Sequence, residues 1–201
     1  MTGAVLAGGD SKRMGCNKAF IELDGIRLID RTIAVFKNIF KEVLVITNDP
    51  VTYEYLDVRV VKDLFSQKSS IVGIYTGLFY ATYGHTLFVA CDMPFIQEDI
   101  VRLLVENIGD NDVVIPETPD GLEPLFSVYS KRCLRPIFDL IKSEDYKIRN
   151  FFNRVKVKKI SECEIKGEER GLSAFFNLNT KEDLEKINDK DIRISLASRD
   201  N

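Results

Sequence analysis

Most of what would point this chain toward a macromolecular or redox partner is missing from it. Its four cysteines, Cys16, Cys91, Cys133 and Cys163, are scattered over 201 residues. They show neither paired zinc-ligand spacing nor a C-x-x-C, which excludes a zinc-ribbon scaffold or a dithiol redox motif and leaves free thiols in a reducing cytosol. A formal net charge of -3 provides no basic stripe, so nucleic-acid binding is not expected. No segment approaches the ~20 apolar residues of a spanning helix. Met1–Gly9 carries no charged leader ahead of its short apolar run, so no membrane association and a cytoplasmic location are expected. The phosphate-loop pattern G-x-x-x-x-G-K-[ST] and the dinucleotide fingerprint G-x-G-x-x-G are absent too, which removes the main support for a P-loop ATPase or an NAD dehydrogenase.

What remains is the composition of an ordinary globular protein, 45% hydrophobic and 29% charged, with neither repeats nor a low-complexity linker. One domain over 1–190 is expected, followed by a polar, loosely held tail at 191–201. Short β-branched runs alternate with amphipathic stretches, the pattern of an α/β domain with a largely parallel sheet. Strands are expected at Gly3–Ala7, Val43–Thr47, Arg59–Lys62, Thr86–Cys91, Asp112–Ile115, Leu125–Tyr129 and Val155–Ile160. Helices are expected at Leu28–Phe40, where Ile29, Ile33, Phe36 and Phe40 form a stripe, and at Ile71–Thr82, Lys131–Lys142 and Tyr146–Asn153. Gly73 and Gly77 share one helix face and would permit close approach of a neighbour or ligand. Thr180 and Asp183 have the spacing of reciprocal helix caps.

The stretch Leu6-Ala7-Gly8-Gly9-Asp10-Ser11-Lys12-Arg13-Met14-Gly15-Cys16-Asn17-Lys18 carries the functional argument. Glycines after a strand let backbone N–H groups turn toward an anion, and Lys12, Arg13 and Lys18 add three cations. A glycine pair alone would read as a tight strand-to-helix turn. Strand, glycines and cations together suit a triphosphate.

Asp92 follows the most apolar strand, at the edge where open α/β sheets bind ligands. A carboxylate there can hold Mg2+ against nucleotide phosphates, or it can cap a helix whose first turn Pro94 sets. For the remaining singular residues the structural reading is the stronger one. His85, the only histidine, is expected in a surface turn, and Cys91 in the core. The pairs Phe151-Phe152 and Phe175-Phe176 are expected to pack, and Lys156, Lys158 and Lys159 to face solvent.

Leu-Ala-Gly-Gly-x-Ser-x-Arg-Met-Gly-x-x-Lys at 6–18 resembles the signature of nucleotidyltransferases built on the glycosyltransferase-A type fold. Ala90-Cys91-Asp92-Met93-Pro94-Phe95, Glu123-Pro124-Leu125-Phe126-Ser127-Val128-Tyr129 and Phe176-Asn177-Leu178-Asn179-Thr180-Lys181-Glu182-Asp183-Leu184 resemble one branch, the molybdenum cofactor guanylyltransferases. The resemblance spans about residues 3–187. It implies a three-layer α/β/α, Rossmann-like, mostly parallel sheet of the nucleotide-diphospho-sugar transferase type. It also implies transfer of GMP from GTP to the terminal phosphate of Mo-molybdopterin, with Mg2+ as cofactor and pyrophosphate as leaving group.

By the same resemblance, Leu6, Ala7, Gly8 and Gly9 would contact the nucleotide and Lys18 its phosphates, while Asn48, Asp63 and Gly73 would border the nucleoside. Asp92 would hold both nucleotide and metal, and Asn177 and Asn179 would face the pterin side; on charge, Arg13 and Lys18 are expected to stabilise the reacting phosphates. Where the family reads Gly-Pro-Leu-x-Gly-Ile, this chain has Ser70-Ile71-Val72-Gly73-Ile74, a change in loop rigidity that bears on base selectivity. Protein partners would be molybdopterin carriers or molybdoenzyme-maturation proteins, and the chain would be a monomer or weak homo-oligomer. A CTP-using or sugar-phosphate transferase and a non-catalytic nucleotide-binding adaptor stay open as alternatives. All the enzymatic readings require Lys18 and Asp92 to face one nucleotide.

Overall fold

Alternation along each strand sends Val5, Val45, Leu87 and Val89 to one face of a sheet and Ala4, Leu44, Ile46 and Phe88 to the other. Both faces are therefore apolar and both need cover. The computed structural model, which describes residues 1–8, 17–166, 174–180 and 182–184, supplies that cover with helices on each side. In chain order the elements are β1 (Thr2–Leu6), β2 (Glu22–Leu23), β3 (Ile26–Arg27), α1 (Leu28–Ile39), β4 (Glu42–Thr47), β5 (Arg59–Lys62), α2 (Ser70–Tyr80) and β6 (His85–Ala90). They continue with α3 (Glu98–Glu106), β7 (Val113–Thr118), β8 (Gly121–Leu122), β9 (Phe126–Ser130), α4 (Leu134–Lys142), β10 (Val157–Ile160) and α5 (Glu162–Lys166).

The main sheet runs β10-β7-β9-β6-β1-β4-β5, with β8 paired to β7. β6, β1, β4 and β5 are parallel, as are β7 and β10, while β9 runs antiparallel to both β6 and β7. α1, α3 and α5 bury Ile29, Ile33, Phe36, Ile100, Val101, Leu104 and Ile165 on one face. α2 and α4 bury Ile71, Val72, Ile74, Leu78, Ile137 and Ile141 on the other. The expected mostly parallel α/β/α sandwich is the architecture observed.

Gly77 lets α2 lie close on the sheet, because a Cβ there would sit 2.4 Å from Phe88 Cε1. Asp24 and Gly25 both have positive φ, 53° and 74°, so they form the tight I′-type turn that joins β2 to β3. Thr180 and Asp183 do cap one another: Thr180 N–H donates to Asp183 Oδ2 at 2.8 Å and Asp183 N–H to Thr180 Oγ1 at 3.1 Å.

Several expectations change. The helix expected at Tyr146–Asn153 is a 3-10 helix, Ile148–Arg154. Asp145 binds Lys147 N–H and the Asn150 amide just ahead of it, side-chain bonding that competes with regular α-helical capping. Lys131–Cys133 likewise forms a 3-10 turn before α4 begins. The short strands β2, β3 and β8 and the helices α3 and α5 are additions. Asp92 caps no helix: α3 starts at Glu98 with Gln97 as its N-cap. His85 is the half-buried first residue of β6 rather than part of a turn. The tail at 191–201, together with Gly9, Lys12 and Arg13, lies outside the described residues. No helix among the described residues is long and apolar enough to cross a membrane.

Candidate functional site

Four neighbouring parallel strands, β6, β1, β4 and β5, end together, and their register decides which side chains meet. Leu6 pairs with Ala90 of β6 and with Ile46 of β4. Cys91 N–H then donates to Leu6 O at 3.1 Å and Ala7 N–H to Ile46 O at 2.8 Å. The residues that follow these strands therefore converge on one edge: Ala7 and Gly8 after β1, Asn48 after β4, Asp63 after β5, and Asp92 after β6. This is the carboxyl-end crevice of an open α/β sheet.

A cavity of about 340 Å³ opens there, bordered by Leu6, Ala7, Gly8, Lys18, Asp63 and Asp92. Gly73 of α2 also borders it, so seven of the expected site residues share one space. A Cβ on Gly8 would lie 3.3 Å from both Asn48 Nδ2 and Asp63 Oδ2, close enough that those side chains would have to give way. Asn48 Nδ2 donates to Gly8 O at 3.4 Å and so shapes the wall from behind. Burial pushes the Asp63 carboxyl above its usual range, and its Oδ1 is buried without a hydrogen-bond partner among the described residues.

Lys18 is the hub. Its Nζ lies 3.0 Å from Asp92 Oδ2 and 2.9 Å from Asn179 Oδ1, so the cation and carboxylate required to share one ligand are in direct contact. A small apolar cluster brings the distant Asn179 to this point. Ile21, Leu23, Leu28 and Leu178 bury one another, with Phe95, Phe176 and Leu184 packed around them. Leu178 N–H also donates to Asp92 O at 2.8 Å. Asn177 is turned differently: its amide donates to Phe175 O at 3.2 Å. The Glu123–Tyr129 stretch abuts the cavity through Leu125; Leu125 O accepts from Ala90 N–H at 3.0 Å, and the Tyr129 hydroxyl bonds Pro124 O at 2.8 Å.

Several residues at this edge escape sequence reasoning. Asn17, Lys68, Ser69 and Ser70 border the cavity, and Tyr53 lies buried behind its wall. Cys91 borders it too; burial pushes its thiol up to about 12, so it is protonated at neutral pH and unsuited as a nucleophile. The expected packing roles hold for the phenylalanine pairs. Phe151 sits against Tyr129 and Phe152, Phe175 against Phe126, and Phe176 against Phe95. Lys156, just before β10, and Lys158 and Lys159 within it pair with Asp110, Asn107 and Glu117.

A divalent cation can be tested against this donor set. No group of three or more His, Cys, Asp or Glu side chains converges among the described residues, so they form no all-protein cage. Mg2+ does not need one, since it commonly takes one or two carboxylates and completes its shell with phosphates and water. Asp92, at the cavity wall with Oδ2 held by Lys18, fits that mode through its other oxygen.

Residues 3–160 match the MobA-like NTP transferase domain. The chain is 38% identical to a molybdenum cofactor guanylyltransferase of Desulfosudis oleivorans over 188 residues, which cover 92% of this chain and 93% of that one. It superposes on the solved molybdopterin-guanine dinucleotide biosynthesis protein A of Archaeoglobus fulgidus with a TM-score of 0.81 at 27% identity, covering 92% and 96% of the two chains. The 4-diphosphocytidyl-2C-methyl-D-erythritol synthase of Anaerococcus prevotii, at a TM-score of 0.67 and 14% identity over 100% and 98% of the chains, is similar in fold alone. With most of its length matched and its cavity at the edge where β1 and β6 end, the chain belongs to the MobA-like NTP transferase family of nucleotidyltransferases.

Proposed function

We propose that this chain is a molybdenum cofactor guanylyltransferase, joining GMP from GTP to the terminal phosphate of Mo-molybdopterin with release of pyrophosphate. The observation that carries this reading is Lys18 Nζ, held between Asp92 Oδ2 at 3.0 Å and Asn179 Oδ1 at 2.9 Å at the cavity edge. One cation thereby links the element that would hold nucleotide phosphates to the segment that would face the acceptor. The 38% identical relative named for this activity supports the same substrates.

An oxygen of the acceptor phosphate forms the new bond to the α-phosphorus as the bond to the departing pyrophosphate breaks. That phosphate is already anionic at neutral pH, so no general base is needed, and catalysis rests on positioning and charge compensation. Lys18 and Arg13 would offset charge on the α-phosphate and the leaving pyrophosphate. Asp92 would hold Mg2+, which supplies Lewis-acid neutralisation of phosphate charge when bound. Ala7 and Gly8 would admit the nucleotide to the wall that Asn48 and Asp63 border, and Asn177 and Asn179 would lie toward the pterin.

The test is incubation of the purified protein with Mg2+, molybdate-loaded molybdopterin and either GTP or CTP, with dinucleotide and pyrophosphate quantified. Product with GTP and little with CTP is the expected result. Product with CTP alone would reassign the base, and tight nucleotide binding with no product from either would favour an adaptor.

A further inference from the structure

Lys18 opens a short 3-10 turn, Lys18–Phe20. Asn17 caps that turn: its Oδ1 accepts from Ala19 N–H at 3.1 Å. This directs the amide nitrogen of Asn17 the other way, where it donates to the Tyr53 hydroxyl at 2.9 Å. A phenol that accepts one bond keeps its own proton to give, and Tyr53 gives it to Ala7 O at 3.3 Å. The chain of bonds therefore runs from the residue preceding Lys18, through one hydroxyl, to the residue preceding Gly8.

Tyr53 is placed for this from outside the site. It ends the 3-10 helix Pro50–Tyr53 after β4, is 1% exposed, and stacks its ring on Phe20 with centroids 5.2 Å apart. It thus grips the Lys18 turn twice, by ring and by hydroxyl. Burial pushes its phenol up to about 12, so the donated proton is present across the working pH range.

We propose that Tyr53 is a positioning residue whose hydroxyl sets Lys18 against the nucleotide phosphates by tying Asn17 to the Ala7 carbonyl. The proposal rests on the reading of Lys18 as a phosphate-contacting cation in guanylyl transfer. Tyr53 itself is buried and does not border the cavity. Misplacing the Lys18 turn should harm the transition state, where charge builds on the phosphates, more than it harms ground-state binding.

The test is Tyr53→Phe, which removes the hydroxyl and keeps the ring on Phe20. The expected result is a fall in kcat of between about tenfold and a hundredfold, the scale of a small misplacement of a reacting group. The dissociation constant for GTP measured by calorimetry should change by less than about twofold. Asn17→Ala breaks the same chain and also removes the cap on Ala19 N–H, so its fall in kcat should be at least as large, and the double variant should be no worse than Asn17→Ala alone. Wild-type kcat in Tyr53→Phe, or a loss confined to melting temperature, would overturn the proposal. So would a loss confined to GTP affinity, or additive losses in the double variant. If the unmodified protein made no dinucleotide from GTP at all, the guanylyltransferase reading would fall first, and this comparison separates the two failures.

Discussion

Replacing Asp92 by asparagine separates the charge at the cavity edge from the shape that holds it. Lys18 Nζ and Asp92 Oδ2 are 3.0 Å apart, and the two side chains retain 18% and 20% of their exposure. The pair is part-buried, so its attraction is less screened than a surface pair's but is offset by the cost of desolvating two charges, and its net share of folding stability stays on the order of 1 kcal/mol. Asparagine has the same outline and keeps an oxygen to accept from Lys18, so the melting temperature should move by no more than ~4 °C. Turnover is a different matter. An amide oxygen is a weak substitute for a carboxylate in binding a hard divalent cation. Loss of one such charge-stabilising element costs ~2.7–4 kcal/mol, about a hundredfold to a thousandfold in kcat. GTP affinity measured without Mg2+ should stay the same or tighten, because a negative charge has been taken from beside the phosphates. Single-turnover pyrophosphate release at saturating GTP gives the first quantity and calorimetry in EDTA the second. A variant that turns over near the wild-type rate, or that loses metal-free GTP binding in step with its rate, would refute the assignment of Asp92.

Two further outcomes test the frame around the site. Gly77→Ala would drive a Cβ to 2.4 Å from Phe88 Cε1 and 2.8 Å from its Cζ, and Phe88 is fully buried. Overpacking of ~1–3 kcal/mol outweighs the ~1 kcal/mol that alanine returns to a helix, so calorimetry should show a melting temperature lowered by several degrees. An unchanged or higher value would show that α2 does not approach the sheet so closely. Burial pushes Asp112 up, but the Lys156 N–H at 2.9 Å and the Arg132 guanidinium outweigh it and hold its carboxyl below the usual range. Its folded pKa then lies below its unfolded value, so its stabilisation is complete above pH ~4 and is lost as pH falls through the folded value. Asp112→Asn should lower the urea midpoint at pH 7 and flatten its decline below about pH 4. An unaltered acid limb would exclude Asp112 as a contributor.

Legibility followed locality. The glycines and cations of 6–18 and the abrupt end of the apolar run before Asp92 are contiguous signals, and so is the reciprocal Thr180–Asp183 cap. The hairpin turn at Asp24-Gly25 was equally local, and α3 announces itself by Glu98 and Asp99 ahead of Ile100, Val101 and Leu104. Both could have been read from pattern alone. The Asn17–Tyr53–Ala7 chain could not, because each bond joins residues brought together only by the pairing of β1 with β4. Nor could the docking of Asn179, which depends on Leu178 burying itself against Ile21, Leu23 and Leu28.

The Asn17–Tyr53–Ala7 chain and the placing of Asp92 share one determinant, the register of β1 with its two parallel neighbours. Sliding β6 by one residue against β1 would displace Asp92 by ~3.3 Å along the strand, enough to break its contact with Lys18. It would also turn Leu87 and Val89 onto the face occupied by Phe88. The two fully buried faces oppose such a slip. The side chains that pack the sheet, with no part in chemistry themselves, thus help hold the lysine of the Lys18–Phe20 turn and the aspartate after β6 within hydrogen-bond distance.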